Sequence, residues 1–171
     1  MNPTNNMNSV QKLTLAGILI ALGVVGSAFY IPVGASKCMP VQHMVNVIAA
    51  MVLGPWYGVG MAFATSLIRV LLSTGSLLAF PGSMCGALLA GLLFHYRPKI
   101  YMAVIGEVVG TGIIGALLAS PIAVLLMGQE ATLFGFVIPF MVSSAGGAVI
   151  AGVFAKVLKR TGLLVPKSQH N

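Results

Sequence analysis

The amino-acid sequence predicts an all-α integral membrane protein with six transmembrane helices and both termini in the cytoplasm. Of its 171 residues, 58% are hydrophobic and only 6% are charged, whereas a soluble domain carries about 25% charged residues. The charged residues are separated by uncharged stretches longer than the roughly 20 residues that a helix needs to cross a bilayer. These observations exclude a water-soluble globular domain, and the positions of the basic residues predict the orientation.

Six apolar stretches are predicted to form the helices. They run Leu13–Ile31, Val41–Leu53, Trp56–Ser73, Phe80–Tyr96, Tyr101–Met127 and Leu133–Arg160. The second stretch is short, about 20 Å by the helical rise per residue. It is separated from the third by the helix breaker Gly54-Pro55 and by Trp56-Tyr57, an aromatic pair typical of the membrane interface. We therefore expect a transmembrane domain at 13–160 between cytoplasmic tails at 1–12 and 161–171.

The basic residues predict which loops face the cytoplasm, because cytoplasmic loops carry an excess of lysine and arginine. Six crossings with both termini inside leave only Lys37 and Glu130 in the outer loops. Five crossings would place either Lys12 and Arg69 or a larger basic set outside. In the six-helix topology, Cys38 is expected to react with an impermeant maleimide added from outside. The cytoplasmic side then holds Lys12, Arg97, Lys99, Lys156, Lys159, Arg160 and Lys167.

Several function classes lack their sequence signatures. The net charge of +7 comes from few basic residues placed between apolar runs, which indicates topology rather than nucleic-acid binding. Cys38 and Cys85 are far apart and have no zinc-ligand spacing. The sequence has no Walker phosphate loop, so the chain alone is not expected to hydrolyse ATP. We expect no catalysis, no metal and no cofactor.

Small residues spaced four apart are frequent, and such pairs let helix backbones approach closely in a bilayer. Each pair has two interpretations, close packing inside the bundle or docking of another membrane subunit. The sequence leaves both open. The pairs are Gly17 with Ala21, Gly58 with Ala62, Gly82 with Gly86 and Ala90, Gly106 with Gly110, and Gly147 with Ala151.

Polar side chains at membrane depth are candidate functional residues, because they are costly to bury without a partner. Gln42, His43 and Asn46 open the second helix, where they either cap it or bind a small polar heterocycle. Arg69 lies near the outer end of the third helix. It either snorkels to the headgroups or donates to a ligand together with the serines that follow, beginning with Ser73.

Glu107 and several aromatic residues form a second group of candidates. Glu107 could bind ligand, pair with a basic group, or stay protonated in an apolar site. Ser143 follows Pro139 in the sixth helix. The two residues either pack against a neighbouring helix or mark a bend where the proline leaves backbone carbonyls without their helical hydrogen bonds. Phe80 and Phe136 are predicted in the outer half, where they pack against lipid or stack on a flat ring.

Three ordered motifs closely resemble the ThiW family. They are PVQHMVNVIAA from Pro40, LGPWYG from Leu53 and SLLAFPGSM from Ser76. ThiW proteins resemble the substrate-binding S components of energy-coupling factor (ECF) vitamin importers. The resemblance implies a six-helix bundle that captures hydroxyethylthiazole, a thiamine precursor, from outside. Delivery then uses a transmembrane coupling protein and two ATPases in the cell membrane of a bacterium or archaeon.

The resemblance also implies where the functional residues lie. The ligand sits in the outer half beneath the loops that follow helices 1, 3 and 5. Gly17 and Ala21 replace the Ala-xxx-Ala motif with which S components dock on the coupling protein. Depth and chemistry then predict a gate at Lys37, Cys38 and Met39, and ligand contacts at Gln42, His43, Asn46, Arg69, Ser73, Phe80, Ser83, Glu107, Phe136 and Ser143. A membrane scaffold and a stand-alone solute carrier are the rival hypotheses.

Overall fold

The computed structural model describes residues 7–33, 36–130 and 132–160 and consists, in those ranges, of six helical segments and one β-hairpin. The elements are α1 Ser9–Gly26, β1 Ile31–Val33, β2 Ser36–Cys38, α2 Pro40–Val52, α3 Pro55–Leu71, α4 Ala79–Tyr96, α5 Ile100–Met127 and α6 Val137–Arg160. In α1, α4, α5 and α6 the helix is long and apolar enough to cross a membrane. The predicted all-α class therefore agrees with the structure, apart from the hairpin.

Helix α1 begins and ends earlier than predicted. Asn8 and Gln11 form a capping box, in which Asn8 Oδ1 accepts from Gln11 N at 2.9 Å and Gln11 Oε1 accepts from Asn8 N at 3.0 Å. The helix ends at Gly26, and the Ser27 hydroxyl donates to the Val24 carbonyl at 2.6 Å. Residues 9–12 of the predicted tail at 1–12 are therefore helical, and 1–6 lie outside the described residues.

A β-hairpin replaces the predicted end of the first helix. Strands β1 and β2 pair antiparallel, with Ile31 opposite Cys38 and Pro32 opposite Lys37. The chain thus enters α2 from a short extended segment. Of the remaining helices, only α6 differs by more than two residues from its prediction.

Helix α6 begins at Val137 instead of Leu133 because the preceding residues form turns. Gly135 N donates to Thr132 O at 2.9 Å. The Ser120 hydroxyl of α5 donates to Leu133 O at 2.8 Å and holds the turn against α5. The predicted C-terminal tail at 161–171 lies outside the described residues.

Polar side chains lie inside the bundle and apolar side chains cover its outside, as expected in a bilayer. Arg69 and Glu107 are among the most deeply buried large side chains, whereas Leu125 and Ile138 are exposed. Helix α2 is central and contacts α1, α3, α4, α5 and α6. It is too short to span the hydrocarbon layer by itself, but the surrounding helices cover its backbone.

Helices α4 and α5 pack closely through their small residues. A Cβ atom at Gly106 would lie 2.5 Å from Ala90 Cα, and one at Gly110 would lie 2.5 Å from the Cys85 carbonyl oxygen. From Gly110 to Gly115, α5 widens into a π-helical segment, a feature frequent at functional sites. These glycines therefore serve internal packing, whereas a Cβ at Gly17 would meet no atom within 4 Å.

Gly106→Ala is expected to lower the melting temperature of the protein in detergent. The added methyl group would overlap the α4 backbone, and overpacking of this kind costs about 1–3 kcal/mol. Gly60→Ala is the matched control, because a Cβ at Gly60 meets no atom within 4 Å and alanine favours the helix. Thermal unfolding followed by circular dichroism should show a lower melting temperature for Gly106→Ala and an unchanged or higher one for Gly60→Ala. Equal melting temperatures would contradict the predicted contact.

Candidate functional site

A polar cavity of about 630 Å³ opens at one end of the bundle, within the size range of small-molecule sites. It lies where α2, α4 and α6 begin and where α3 and α5 end. The loops after α1, α3 and α5 all contribute to its walls. Its lining residues are Lys37, Met39, Gln42, His43, Arg69, Ser73, Thr74, Gly75, Ser76, Leu78, Ala79, Gly82, Ser83, Thr111, Met127, Gln129, Glu130, Phe136, Pro139, Phe140 and Ser143.

Basic residues cluster at the opposite end of the bundle. Lys12 is in the first turn of α1, Arg97 and Lys99 lie between α4 and α5, and Lys156 and Arg160 are in the last turns of α6. The direction of each helix therefore separates this basic end from the cavity. Lys167 lies outside the described residues.

The short β2 strand fixes the start of α2 at the cavity. Met39 N donates to Ser143 Oγ at 2.8 Å, and the Cys38 thiol donates to the Pro139 carbonyl at 3.5 Å. Pro40 occupies the first turn of α2, where its missing N–H costs no hydrogen bond. These contacts to α6 hold the first turn of α2, with Gln42 and His43, against the cavity.

His43 and Glu107 form a buried pair in which His43 Nδ1 lies 2.8 Å from Glu107 Oε1. Asn46 Nδ2 donates to the same oxygen at 3.1 Å, and Thr111 Oγ1 lies 3.2 Å from it. Glu107 is 0% exposed, and its Oε2 is buried without a hydrogen-bond partner in the described residues. An acceptor at Nδ1 fixes the hydrogen of a neutral imidazole on Nδ1 and leaves Nε2 as an acceptor.

A second chain of hydrogen bonds holds Gln42. Its Nε2 donates to Ser66 Oγ at 3.3 Å, and Ser66 Oγ lies 3.0 Å from Ser83 Oγ. The Ser83 hydroxyl donates to the Ala79 carbonyl at 2.7 Å. These bonds orient the Gln42 amide from behind, so that its other polar atoms are available to a ligand.

Arg69 is only 2% exposed and lines the cavity near the end of α3. Its Nη2 donates to the Met39 thioether, and its Nε is buried without a hydrogen-bond partner in the part of the chain that the structure describes. Of the two predicted roles, snorkelling to the headgroups is therefore not observed. The guanidinium lies among cavity residues.

Seven of the ten predicted ligand contacts line the cavity. Asn46, Phe80 and Glu107 do not. Asn46 is directed to Glu107 and to the Ser83 carbonyl, and Glu107 pairs with His43, so both lie one layer behind the wall. Phe80 packs against Phe63 with 5.5 Å between ring centroids. The seven lining residues are Gln42, His43, Arg69, Ser73, Ser83, Phe136 and Ser143.

The gate and some unpredicted residues complete the site. Lys37 and Met39 line the cavity, but Cys38 does not, because its thiol points toward Pro139. Thr111 and Gln129 were missed by sequence reasoning. Thr111 follows Glu107 by four residues, and this spacing on one helix face was the signal that could have found it.

The expected labelling of Cys38 from outside conflicts with its burial. Cys38 is 2% exposed, and burial raises the pKa of its thiol, which lowers the fraction of reactive thiolate at neutral pH. In a Cys85→Ala background, we expect Cys38 to react with an impermeant maleimide at least tenfold more slowly than a Lys37→Cys variant lacking Cys38, since Lys37 is exposed. The labelling rate of Cys38 should continue to rise at pH values where an exposed thiol is already fully deprotonated. Equal rates at neutral pH would contradict the buried position.

A helical bundle with an apolar exterior, buried polar side chains and a polar cavity at one end defines a multi-pass membrane protein. A family model described as thiamine-precursor transporter protein (ThiW) matches residues 13–161. The chain belongs to the ThiW family of membrane transport proteins. No curated protein matches the sequence significantly.

Proposed function

We propose that this protein is the substrate-binding S component of an ECF-type importer and that it captures hydroxyethylthiazole from outside the cell. The observation that carries the proposal is the polar cavity at the end of the bundle opposite Lys12, Arg97, Lys99, Lys156 and Arg160. Family membership supports a thiamine-precursor ligand. The chain itself binds and delivers, and ATP is hydrolysed by two partner subunits.

The proposed topology has six crossings, with both termini in the cytoplasm of a bacterial or archaeal cell. It counts α2 and α3 as crossings in addition to the four long apolar helices. The positive-inside rule supports this orientation, because Lys12, Arg97, Lys99 and Lys156 lie at one end of the bundle. The cavity then opens to the outer side.

In the proposed complex, His43 and Gln42 hydrogen-bond the hydroxyl and the ring nitrogen of the ligand. Phe136 supplies an aromatic face; its ring lies 5.9 Å from that of Phe140, which also lines the cavity. A thiazole fits between such faces by stacking. Ser73, Ser83 and Ser143 add hydroxyl groups to the wall, and Lys37 with Met39 forms the gate.

Delivery requires a surface for the coupling protein, and we assign it to Gly17 and Ala21. Both residues are exposed on α1. An apolar groove between α1 and α3 lies beside them, with Ala16, Ile20 and Gly60 in its wall. Small residues on an exposed helix face permit close approach of a partner helix, which supports docking here.

Calorimetric titration of the purified protein in detergent tests the ligand. We expect submicromolar binding of hydroxyethylthiazole and no binding of thiamine or of its pyrimidine moiety at the same concentrations. Gln42→Ala should weaken binding several-fold, and Gly60→Ala, outside the cavity, serves as the folding-matched control. A folded sample that binds none of the three compounds would overturn the substrate. Uptake into vesicles without any ATPase would favour a stand-alone carrier.

A further inference from the structure

The Arg69 guanidinium is buried, and no carboxylate in the part of the chain that the structure describes forms an ion pair with it. Within residues 7–33, 36–130 and 132–160, the one contact of ion-pair length to a carboxylate joins Glu107 to the His43 ring. The one hydrogen-bond acceptor that the Arg69 side chain contacts there is the neutral thioether of Met39, and Nε has none. A buried charge in this state is costly unless another group compensates it.

The surroundings supply only part of that compensation. Glu107 contacts His43 and Asn46 through Oε1 and forms no ion pair with Arg69 in the described residues. Glu130 lines the cavity but is exposed and lies beyond ion-pair distance from Arg69. Arg69 is in the last turn of α3, where the helix dipole supplies about half a negative charge. Lys37 adds a second positive charge to the same wall, against the single carboxylate of Glu130 among the lining residues.

The loop after α3 contributes three hydroxyl-bearing residues to the cavity that Arg69 lines. Ser73, Thr74 and Ser76 all line the cavity. Ser73 adopts a left-handed backbone conformation with φ of 58°, and the Thr74 and Gly75 amides both donate to the Arg69 carbonyl at 2.9 and 3.0 Å. The loop therefore turns back over Arg69, and a Cβ at Gly75 would lie 3.4 Å from its Nη2.

We propose that Arg69 and the loop from Ser73 to Ser76 form an oxyanion subsite within the cavity. The subsite takes a phosphate or a carboxylate, whose oxygens match the guanidinium fork and accept from the Ser73 and Ser76 hydroxyls. The Thr74 hydroxyl donates to the Arg69 carbonyl instead. The anion belongs either to a phosphorylated or carboxylated form of the thiazole or to a free anion that binds beside the neutral alcohol. This inference rests on the proposed function for the rest of the ligand, since a neutral alcohol alone leaves the charge of Arg69 uncompensated.

Titration of the full-length protein with four probes tests the subsite. The probes are hydroxyethylthiazole, its phosphate monoester, the corresponding thiazole carboxylic acid and inorganic phosphate. Wild type is compared with Arg69→Gln and with Arg97→Gln, which removes the same charge from an exposed turn at the opposite end. We expect an acidic thiazole to bind wild type and Arg97→Gln roughly 10- to 100-fold more tightly than the alcohol, and this preference to fall below threefold in Arg69→Gln.

The remaining outcomes identify the source of the anion. If the anion is free, inorganic phosphate raises the affinity for the alcohol at least tenfold and the acidic thiazoles have no advantage. If acidic thiazoles have no advantage and phosphate changes nothing, the subsite is overturned. If Arg69→Gln fails to fold, the same four probes are titrated into wild type and Arg69→Lys. Their relative affinities then distinguish an acidic thiazole, a free anion and the absence of a subsite.

Failure of the proposed function gives a different result. In that case neither the alcohol nor the acidic thiazoles bind, and inorganic phosphate is tested alone by thermal shift. A higher melting temperature with phosphate in wild type and Arg97→Gln, but not in Arg69→Gln, supports the subsite without the thiazole. The absence of any shift overturns both.

Discussion

Glu107→Gln is expected to weaken the binding of hydroxyethylthiazole by roughly 10- to 100-fold, although Glu107 does not line the cavity. Its Oε1 accepts from His43 Nδ1 and from Asn46 Nδ2. A glutamine replaces one carboxylate oxygen with an amide N–H₂ group, which either displaces the acceptor shared by His43 and Asn46 or places a donor where Oε2 is buried without a partner. The His43 tautomer that binds the ligand then becomes a minor population, and the apparent affinity falls in proportion to that population.

The loss is expected to act through the orientation of His43. With Glu107 as acceptor, neutral His43 carries its hydrogen on Nδ1 and presents Nε2 to the ligand. In Glu107→Gln this preference weakens, and ¹⁵N chemical shifts of the His43 ring should show a larger fraction of the other tautomer. Ser144→Ala is the matched control, because its buried hydroxyl donates only to the Met141 carbonyl one turn earlier.

A double-mutant cycle separates this positioning role from an independent one. In a His43→Ala background, Glu107→Gln should reduce affinity less than threefold further, because groups that act through one another are not additive. Additive losses would show that Glu107 contributes to binding without His43. Circular dichroism of all variants checks that each one is folded.

The helices of the bundle were predictable because the bilayer imposes a strong requirement on sequence. A spanning helix needs a long apolar stretch, and breakers such as Gly54-Pro55 mark its ends. Helices α2 to α5 accordingly begin and end within two residues of their predicted bounds. Gln42, His43 and Arg69 were predictable as cavity residues for a related reason, since polar groups at membrane depth must face the interior.

The β-hairpin was not predictable because strands of three residues produce no readable alternation of polar and apolar residues. Residues 27–31 are mostly apolar and extend the hydropathy signal of α1 beyond Gly26. Hydropathy measures transfer to the bilayer and does not distinguish a helix from a short apolar strand. The end of α1 was therefore placed five residues too late.

The partner of Glu107 and the direction of Phe80 depend on how the helices rotate against one another. His43 of α2 and Glu107 of α5 are 64 residues apart, and Gly86 of α4 leaves room for the Glu107 side chain, because a Cβ there would lie 2.8 Å from its Oε1. Phe80 faces Phe63 of α3 rather than the cavity. Sequence spacing defines the faces of one helix, but packing between helices decides which face meets the ligand.

Ala21→Phe is expected to abolish uptake of hydroxyethylthiazole while changing its binding affinity less than threefold. Ala21 is exposed on α1, four residues after Gly17, and neither residue lines the polar cavity. A phenyl ring on this face prevents a partner helix from approaching as closely as small residues allow. Since the cavity is formed by α2 to α6 and the adjoining loops, capture should continue when docking fails.

Uptake by cells in which each variant replaces the wild-type protein, together with titration of the purified variants, measures the two steps separately. Val149→Phe is the matched control, because Val149 is 63% exposed on α6, away from the proposed docking face. It should retain both uptake and binding. Loss of binding in Ala21→Phe would indicate a folding defect instead. Full uptake in Ala21→Phe would show that the coupling protein docks elsewhere, and the docking role of Gly17 and Ala21 would then have to be abandoned.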